Sequence, residues 1–273
     1  MSSELLRLSI INYLNAEPLN YGFKRGLHYQ NFHLKFQKPS ESCDSLKSGE
    51  VDAGLISSIE YLRIPDLKII PNLCIGSQDS ARSVLIFSKV PFGEIKKLAL
   101  DISSRTSVIL AQILLKEKFG CDRFETNYLL PDLNFMLKDH DAALMIGDQA
   151  MRSDPQSLSV LDLSHEWKMH TSLPFVFAFW AIQPKAPRVL DGKPLQWFFE
   201  ESFRLGTENL STIIEEAKIP SRWSETQLRT YFTENISYRL GPQEQDSLDL
   251  FIERPSGMDL SPKFANSHSS NFY

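Results

Sequence analysis

The chain has 273 residues, which is enough to bury a substantial core as one large domain or as two smaller lobes. Its formal net charge of −5, without a long cluster of Lys and Arg, argues against general nucleic-acid binding. Three widely spaced cysteines, Cys43, Cys74 and Cys121, fit neither a disulfide framework nor a metal site, so we expect reduced thiols in the core.

The N-terminal residues carry no basic stretch, and their short apolar run is interrupted by Arg7. This pattern is not that of a secretory signal. No apolar stretch approaches the roughly 18 residues that a membrane-spanning helix needs. We therefore expect a cytoplasmic protein that binds neither membrane nor nucleic acid.

Strand-like and helix-like segments alternate through the first part of the chain. The apolar run at residues 6–11 is typical of a buried strand, and Gly49 is placed to end a helix. Either Ser57 or Ser58 is expected to cap the turn at residues 59–62. In chain order we predict a strand at 6–11, a helix at 18–26, a strand at 33–37, a helix at 40–48 and a strand at 52–56.

A second alternating series follows a β-rich run at residues 83–88, which Pro91 ends. Residues 175–182 form the longest apolar run and predict a central strand. Between them we predict strands at 98–101, 126–130 and 142–146, helices at 107–119 and 133–138, and a turn at 147–148. Beyond them we predict helices at 195–210, 211–218, 224–232 and 243–253, and a disordered tail from residue 255.

This alternation predicts an α/β fold with mostly parallel strands. The runs at 83–88 and 175–182 flank the second series and are the natural crossovers between two lobes. We expect a first lobe of residues 1–87 and 180–254, a second lobe of residues 88–179, and a tail of residues 255–273. A cleft between such lobes would collect the polar segments at the carboxyl ends of the strands.

The segment Asp101-Ile-Ser-Ser-Arg-Thr-Ser107 lies between a predicted strand and a predicted helix. Backbone N–H groups at a helix N-terminus, together with Ser, Thr and Arg donors, form a binding site for a small anion. The segment contains no glycine, which favours a carboxylate over a nucleotide phosphate. The alternative is that Ser103 or Ser104 only caps the helix.

Four polar clusters follow predicted strands, and strand ends of an open α/β sheet converge on a ligand crevice. The alternative is that these residues cap helices and turns. The clusters are Asn12 to Asn15, Ser57 with Ser58, Ser103 to Ser107, and Gly147 with Asp148.

Other polar residues give weaker indications. Arg82 and Ser83 at a crossover could bind a second anionic group. Two anion sites, this one and the one at residues 101–107, would suit a dicarboxylate. Thr171, beside His170 near the predicted cleft, is a further candidate ligand. Asp101 and Asp148 could transfer protons, although for both a structural role is the simpler interpretation. The six histidines have no spacing that implies a metal site or a catalytic triad.

Several motifs, in one order from about Leu8 to Ile182, resemble the menaquinone-biosynthesis chorismate dehydratases of the futalosine route, the MqnA family. The C-terminal helices fit this resemblance more loosely. The motifs are Tyr13-Leu-Asn-Ala16 with Pro18-Leu19, Asp52-Ala-Gly-Leu-Ile-Ser-Ser-Ile-Glu-Tyr61, Ser83-Val84, Leu100-Asp-Ile-Ser-Ser-Arg-Thr-Ser107, Ile146-Gly-Asp148 and Leu173-Pro-Phe-Val176.

The resemblance implies a two-lobed type 2 periplasmic-binding-protein-like fold used as an enzyme. Family members remove water from chorismate to give 3-[(1-carboxyvinyl)oxy]benzoate, without a metal or organic cofactor. Asn15 matches an asparagine regarded as important in the family's active site. Five residues match the family's substrate-cleft motifs: Ser83, Ser104, Arg105, Thr106 and Ser107.

Two departures from the family pattern bear on the cleft. The segment Ser77-Gln-Asp-Ser-Ala-Arg82 lacks the glycine often found before the crossover serine, which affects how closely backbone can approach a ligand. Ser172 stands where a glycine is common and could add a hydroxyl to the cleft wall.

The resemblance and the residues together lead to one mechanistic hypothesis. Loss of water makes the chorismate ring aromatic, so the protein need mainly orient and desolvate the substrate. A substrate carboxylate takes part in removing the ring proton, while Asn15 holds that carboxylate or the departing hydroxyl. The alternatives are a non-catalytic binder of a small carboxylate, a ligand-sensing regulatory domain and a different chorismate- or prephenate-related lyase.

Overall fold

The computed structural model describes residues 5–64 and 66–254. The predicted disordered tail at 255–273 lies outside the described residues. The strands are β1 (Leu6–Ile11), β2 (Phe32–Gln37), β3 (Ala53–Ser57), β4 (Lys68–Ser77), β5 (Val84–Ser88), β6 (Lys97–Asp101), β7 (Glu125–Leu129), β8 (Ala142–Ile146), β9 (Ser159–Asp162), β10 (Phe175–Ile182), β11 (Val189–Leu190), β12 (Lys193–Pro194) and β13 (Ser237–Leu240).

Most of the helices lie at segments predicted to be helical, but those at Gly147–Arg152 and Leu163–Thr171 were not predicted. No helix within residues 5–64 and 66–254 is long and apolar enough to cross a bilayer. The helices are α1 (Glu17–Lys24), α2 (Pro39–Ser48), α3 (Thr106–Glu117), α4 (Leu133–Lys138), α5 (Gly147–Arg152), α6 (Leu163–Thr171), α7 (Leu195–Glu208), α8 (Leu210–Ser221), α9 (Glu225–Thr230) and α10 (Pro242–Glu253).

Two large sheets organise the chain, β11 and β12 form a separate two-stranded sheet, and the predicted α/β fold is confirmed. The first sheet has the strand order β13-β4-β10-β3-β1-β2, and the second has the order β7-β6-β8-β5-β9. Within the first sheet β1 pairs in parallel with β2 and β3, and within the second β6 pairs in parallel with β7 and β8. The carboxyl ends of parallel neighbours therefore meet at one edge of each sheet.

The prediction of mostly parallel strands is wrong. The central strand β10 is antiparallel to both β3 and β4, and β5 is antiparallel to both β8 and β9. β5 carries the chain from the first sheet into the second, and β10 returns it to the first. The direction of each strand depends on contacts between residues that are far apart in sequence. The residues predicted as a turn at 147–148 instead begin α5.

The lobe boundaries predicted at 87/88 and 179/180 fall inside β5 and β10, respectively. Among the described strands, β5 pairs only with members of the second sheet and β10 only with members of the first, so a division at those points would cut both sheets. We propose instead that the lobes divide at residues 78–83 and 172–174, which link the two sheets.

Small residues allow α1 and α7 to cross closely over the first sheet. A Cβ at Gly22 would lie 2.7 Å from the Cα of Ser202, and one at Gly206 would lie 2.7 Å from the carbonyl carbon of Pro18. The Ser202 hydroxyl donates to the Leu19 carbonyl oxygen at 2.7 Å. The crossing holds α1 in place, and it therefore fixes the segment between β1 and α1, which contains Asn15.

Gly206→Ala is expected to destabilise the fold by about 3 kcal/mol, because the new methyl group would meet backbone atoms that cannot rotate away. The measurement is the midpoint of urea unfolding. Thr207→Ala, at an exposed position on the same helix, is the control and should change stability by less than about 0.5 kcal/mol. Equal stabilities for the two variants would contradict this account of the helix crossing.

Candidate active site

The four polar clusters predicted from strand ends lie together around two adjoining chambers between the sheets. The outer chamber has a volume of about 580 Å³ and the inner one a volume of about 70 Å³. Four residues line both chambers: Tyr13, Ser103, Ser104 and Ile146. The outer volume is in the range of small-molecule sites.

The inner chamber is lined by side chains with unused hydrogen-bonding capacity. Asn15, Ser57, Ser104 and Ser107 all line it. None of these four side chains makes a hydrogen bond within residues 5–64 and 66–254, although Ser104 is only 4% exposed. Nearly buried hydroxyl and amide groups without a protein partner are available to a ligand, because desolvation without a hydrogen bond is costly.

The N-terminus of α3 forms one wall of the inner chamber. The helix begins at Thr106, and Arg105 occupies the preceding position without a side-chain capping bond. Neither Ser103 nor Ser104 therefore caps the helix, as the simpler interpretation of this segment predicted. The first backbone N–H groups of α3 are left for another acceptor, which suits a carboxylate. Apolar groups, including those of Ile11, Leu55 and Phe177, line the rest of this chamber.

Thr106 connects α3 to the first sheet. Its hydroxyl oxygen accepts a hydrogen bond from the backbone N–H of Ile59 at 3.1 Å. Thr106 also lines the inner chamber. Its side chain therefore positions the helix N-terminus across the cleft.

Arg105 has different partners from those expected of a substrate ligand. Its Nη2 donates to both carboxylate oxygens of Asp44, at 3.0 and 3.1 Å, and its Nη1 lies 3.1 Å from Oε1 of Glu60. Burial opposes the charge of the guanidinium, but the two carboxylates outweigh it and raise the pKa of Arg105. Arg105 lines the outer chamber. It also links the second sheet to the elements packed on the first.

Asp148 also spans the cleft. Its Oδ1 accepts the backbone N–H of Leu14 at 3.2 Å, and its side chain lines the outer chamber. Burial raises the pKa of Asp148, and the hydrogen bond from Leu14 counteracts part of that effect. The carboxylate thus holds the segment before Asn15 against α5.

Two of the predicted ligands, Ser58 and Thr171, line neither chamber, and the hydroxyl of each donates to a backbone carbonyl. The Ser58 hydroxyl donates to Val176 at 2.7 Å, and the Thr171 hydroxyl donates to Trp167 at 2.8 Å. The expected capping of residues 59–62 by a serine side chain is wrong, since that turn begins without a side-chain cap.

The predicted crossover pair, Arg82 and Ser83, also lies outside both chambers. Arg82 is exposed in a left-handed conformation, with φ of 56°, and its backbone N–H donates to Asp162 at 2.7 Å. Ser83 is buried, and its hydroxyl accepts a hydrogen bond from the hydroxyl of Tyr231 at 3.0 Å. This pair therefore stabilises the link between the sheets.

Sequence reasoning included Tyr13 in the polar cluster at residues 12–15 but gave its side chain no role. Its hydroxyl donates to the Ser103 hydroxyl oxygen at 3.1 Å, across the cleft. The signal available was its position one residue after Asn12, in the cluster that follows β1. Within the described ranges, no three His, Cys, Asp or Glu side chains are grouped so as to hold a metal ion.

The two-sheet architecture with a ligand-sized cleft defines a protein of the periplasmic-binding-protein fold. A crystal structure of a protein from Archaeoglobus fulgidus matches with a TM-score of 0.76 at 16% identity, covering 94% of this chain and 98% of that one. The periplasmic aliphatic sulphonate binding protein SsuA from Escherichia coli matches with a TM-score of 0.60 at 16% identity, covering 100% and 97%.

Sequence comparison gives the family. A family model described as menaquinone biosynthesis matches residues 6–256, and the chain belongs to that family. The chorismate dehydratase of Thermus thermophilus is 30% identical over 275 residues, which cover 94% of this chain and 97% of the relative. The predicted family resemblance is confirmed.

Proposed function

We propose that this protein is a chorismate dehydratase, a hydro-lyase that converts chorismate to 3-[(1-carboxyvinyl)oxy]benzoate. Its family and its chorismate dehydratase relatives support this function. The observation in the fold that carries it is the inner chamber, where the N-terminus of α3 faces a small apolar space. The side chains of Asn15, Ser57, Ser104 and Ser107 line the same space and have no hydrogen-bonding partner among the described residues.

This set of groups suits the chemistry of the substrate. Chorismate carries two carboxylates and a ring hydroxyl, and loss of water makes its ring aromatic. Hydroxyl and amide donors at a helix N-terminus can hold a carboxylate in a fixed orientation. The outer chamber, lined by Lys38 and Arg152, has room for the second carboxylate.

Asn15 has the central role in this proposal. An amide can both donate and accept hydrogen bonds but does not titrate near neutral pH. Asn15 orients a substrate carboxylate or the departing hydroxyl, and the substrate carboxylate takes the ring proton. Ser57, Ser104 and Ser107 hold the substrate, while Arg105 and Asp148 hold the two sides of the cleft together.

We infer that the enzyme acts in the futalosine route to menaquinone, in the cytoplasm, with a small molecule as its partner and without nucleic acid or membrane. The same fold also serves proteins that only bind ligands, such as the Escherichia coli sulphonate binding protein. A non-catalytic carboxylate binder is therefore the alternative that the experiment must separate.

Purified protein mixed with chorismate should abolish the absorbance of the cyclohexadiene and yield a product lighter by one water, seen by mass spectrometry. The control is the same protein inactivated by heat. Saturable binding of chorismate without any spectral change would support the binder and contradict the dehydratase.

A further inference from the structure

Tyr13 is held in a fixed position at the junction of the two chambers, both of which it lines. One side of its ring lies close to Gly147, where an added Cβ would be 3.1 Å from a ring carbon. The hydroxyl is anchored at the other end by its hydrogen bond to Ser103. A side chain fixed at both ends presents its hydroxyl in one place.

A line of hydrogen bonds continues from Tyr13 into the protein interior. The Ser103 hydroxyl donates to Oδ1 of Asp101 at 2.6 Å. The same oxygen accepts the backbone N–H of Ser103 at 2.9 Å, and Oδ2 accepts the backbone N–H of Ile146 at 3.3 Å. Asp101 is 1% exposed and forms no ion pair within the described ranges.

Dehydration needs a proton donor as well as a proton acceptor. Hydroxide is a poor leaving group near neutral pH, so the departing oxygen must receive a proton as its bond to carbon breaks. The amide of Asn15 and the serine hydroxyls of the inner chamber are too weakly acidic for this step.

Tyr13 and Asp101 are suited to carrying that proton. Burial raises the pKa of both groups, so Tyr13 keeps its proton until transfer, and the protonated form of Asp101 is favoured against the opposing hydrogen bonds from Ser103 and Ile146. A dianionic substrate in the adjoining chambers would raise both further, since nearby negative charge disfavours ionisation.

We propose, resting on the dehydratase function, that Tyr13 is the general acid that protonates the leaving hydroxyl, and that Asp101 replaces its proton through Ser103. The carbon–oxygen bond breaks and its electron pair leaves with the oxygen, which takes the proton of Tyr13 and departs as water. The electron pair of the broken ring carbon–hydrogen bond becomes the new double bond, and the substrate carboxylate keeps that hydrogen as a proton.

The relay ends with the negative charge on Asp101. For this transfer both hydroxyls turn from the arrangement described above, so that protonated Asp101 donates to Ser103 and Ser103 donates to Tyr13. Ser103 then passes its proton to Tyr13 and takes one from Asp101, whose carboxylate is held by the N–H groups of Ser103 and Ile146. After the product leaves, its carboxylic acid gives a proton to solvent and Asp101 takes one from solvent, so that no net proton is consumed.

The test is Tyr13→Phe, which keeps the ring against Gly147 and removes the hydroxyl. The kcat for chorismate should fall about 10²–10⁴-fold, the usual contribution of a general acid. The KM should stay within about threefold, because the loss is confined to the transition state. Tyr29→Phe, at a position 77% exposed, is the matched control and should behave as the unmodified protein.

A second substrate separates proton donation from a structural role. In chorismate with fluorine in place of the leaving hydroxyl, departure requires much less protonation, so Tyr13→Phe should retain most of the unmodified protein's rate. Equal losses on both substrates, or full activity of Tyr13→Phe on chorismate, would overturn the assignment. Failure of the unmodified protein to convert chorismate would instead refute the dehydratase function.

Discussion

Asn15→Ala is expected to lower the kcat for chorismate by about 10³-fold, as does the loss of one preorganised donor in other active sites. The Asn15 side chain lines the inner chamber without a hydrogen-bonding partner within residues 5–64 and 66–254, so its removal leaves no protein group unpaired. Binding should therefore change little, with a dissociation constant within about fivefold of the original, because the serines and the α3 N-terminus remain.

The measurement pairs single-turnover kinetics with a binding titration. Asn134→Ala, an exposed position in α4 on the second sheet, makes the same chemical change and should leave both quantities unaltered. A fully active Asn15→Ala protein would exclude the proposed role. A variant that no longer binds chorismate would make Asn15 a ligand for the ground state only.

Arg105→Met should raise the KM for chorismate about 10–100-fold, in line with the loss of hydrogen bonds between charged groups. Arg105 joins the second sheet to Asp44 and Glu60, whose side chains belong to elements on the first. Glu60 keeps Arg63 as a partner at 2.9 Å when Arg105 is removed. Removing Arg105 therefore destabilises the closed arrangement of the two lobes more than it destabilises either lobe. The apparent affinity for chorismate falls as the fraction of closed molecules falls.

A double-mutant cycle tests this interpretation. If Arg105 acts through Asp44, adding Asp44→Asn to Arg105→Met should change the KM by less than Asp44→Asn does alone. Arg188→Met, at an exposed position, is the matched control. An unchanged KM for Arg105→Met would show that this link does not hold the cleft closed.

Local sequence patterns predicted most elements because each carries its own signal. The apolar run of β10 and the helix-ending Gly49, which adopts φ of 75°, can be read without knowledge of the partner strands. Strand β4 was missed because Pro71 interrupts it and Asn72 adopts a left-handed conformation with φ of 67°. Strand direction was mispredicted because pairing is decided by distant contacts.

The difference between local signals and distant contacts also explains which features of the site could be predicted. Strand ends located the clusters around Asn15 and Ser104 because the end of a parallel strand is a local feature with a known place in the fold. The partners of Ser58, Ser83 and Arg105 lie far away in sequence, so their hydrogen-bonding capacity could not be assessed from neighbouring residues. Only the folded arrangement separates hydroxyls that are already satisfied from those that face the chamber.

A crystal structure of the Asn15→Ala protein with chorismate tests the central claim most directly, since slow turnover would preserve the substrate. We expect one substrate carboxylate at the N-terminus of α3, within hydrogen-bonding distance of Ser104 or Ser107, and the ring hydroxyl beside Tyr13. Chorismate bound outside the two chambers, or with neither carboxylate near α3, would contradict the central claim.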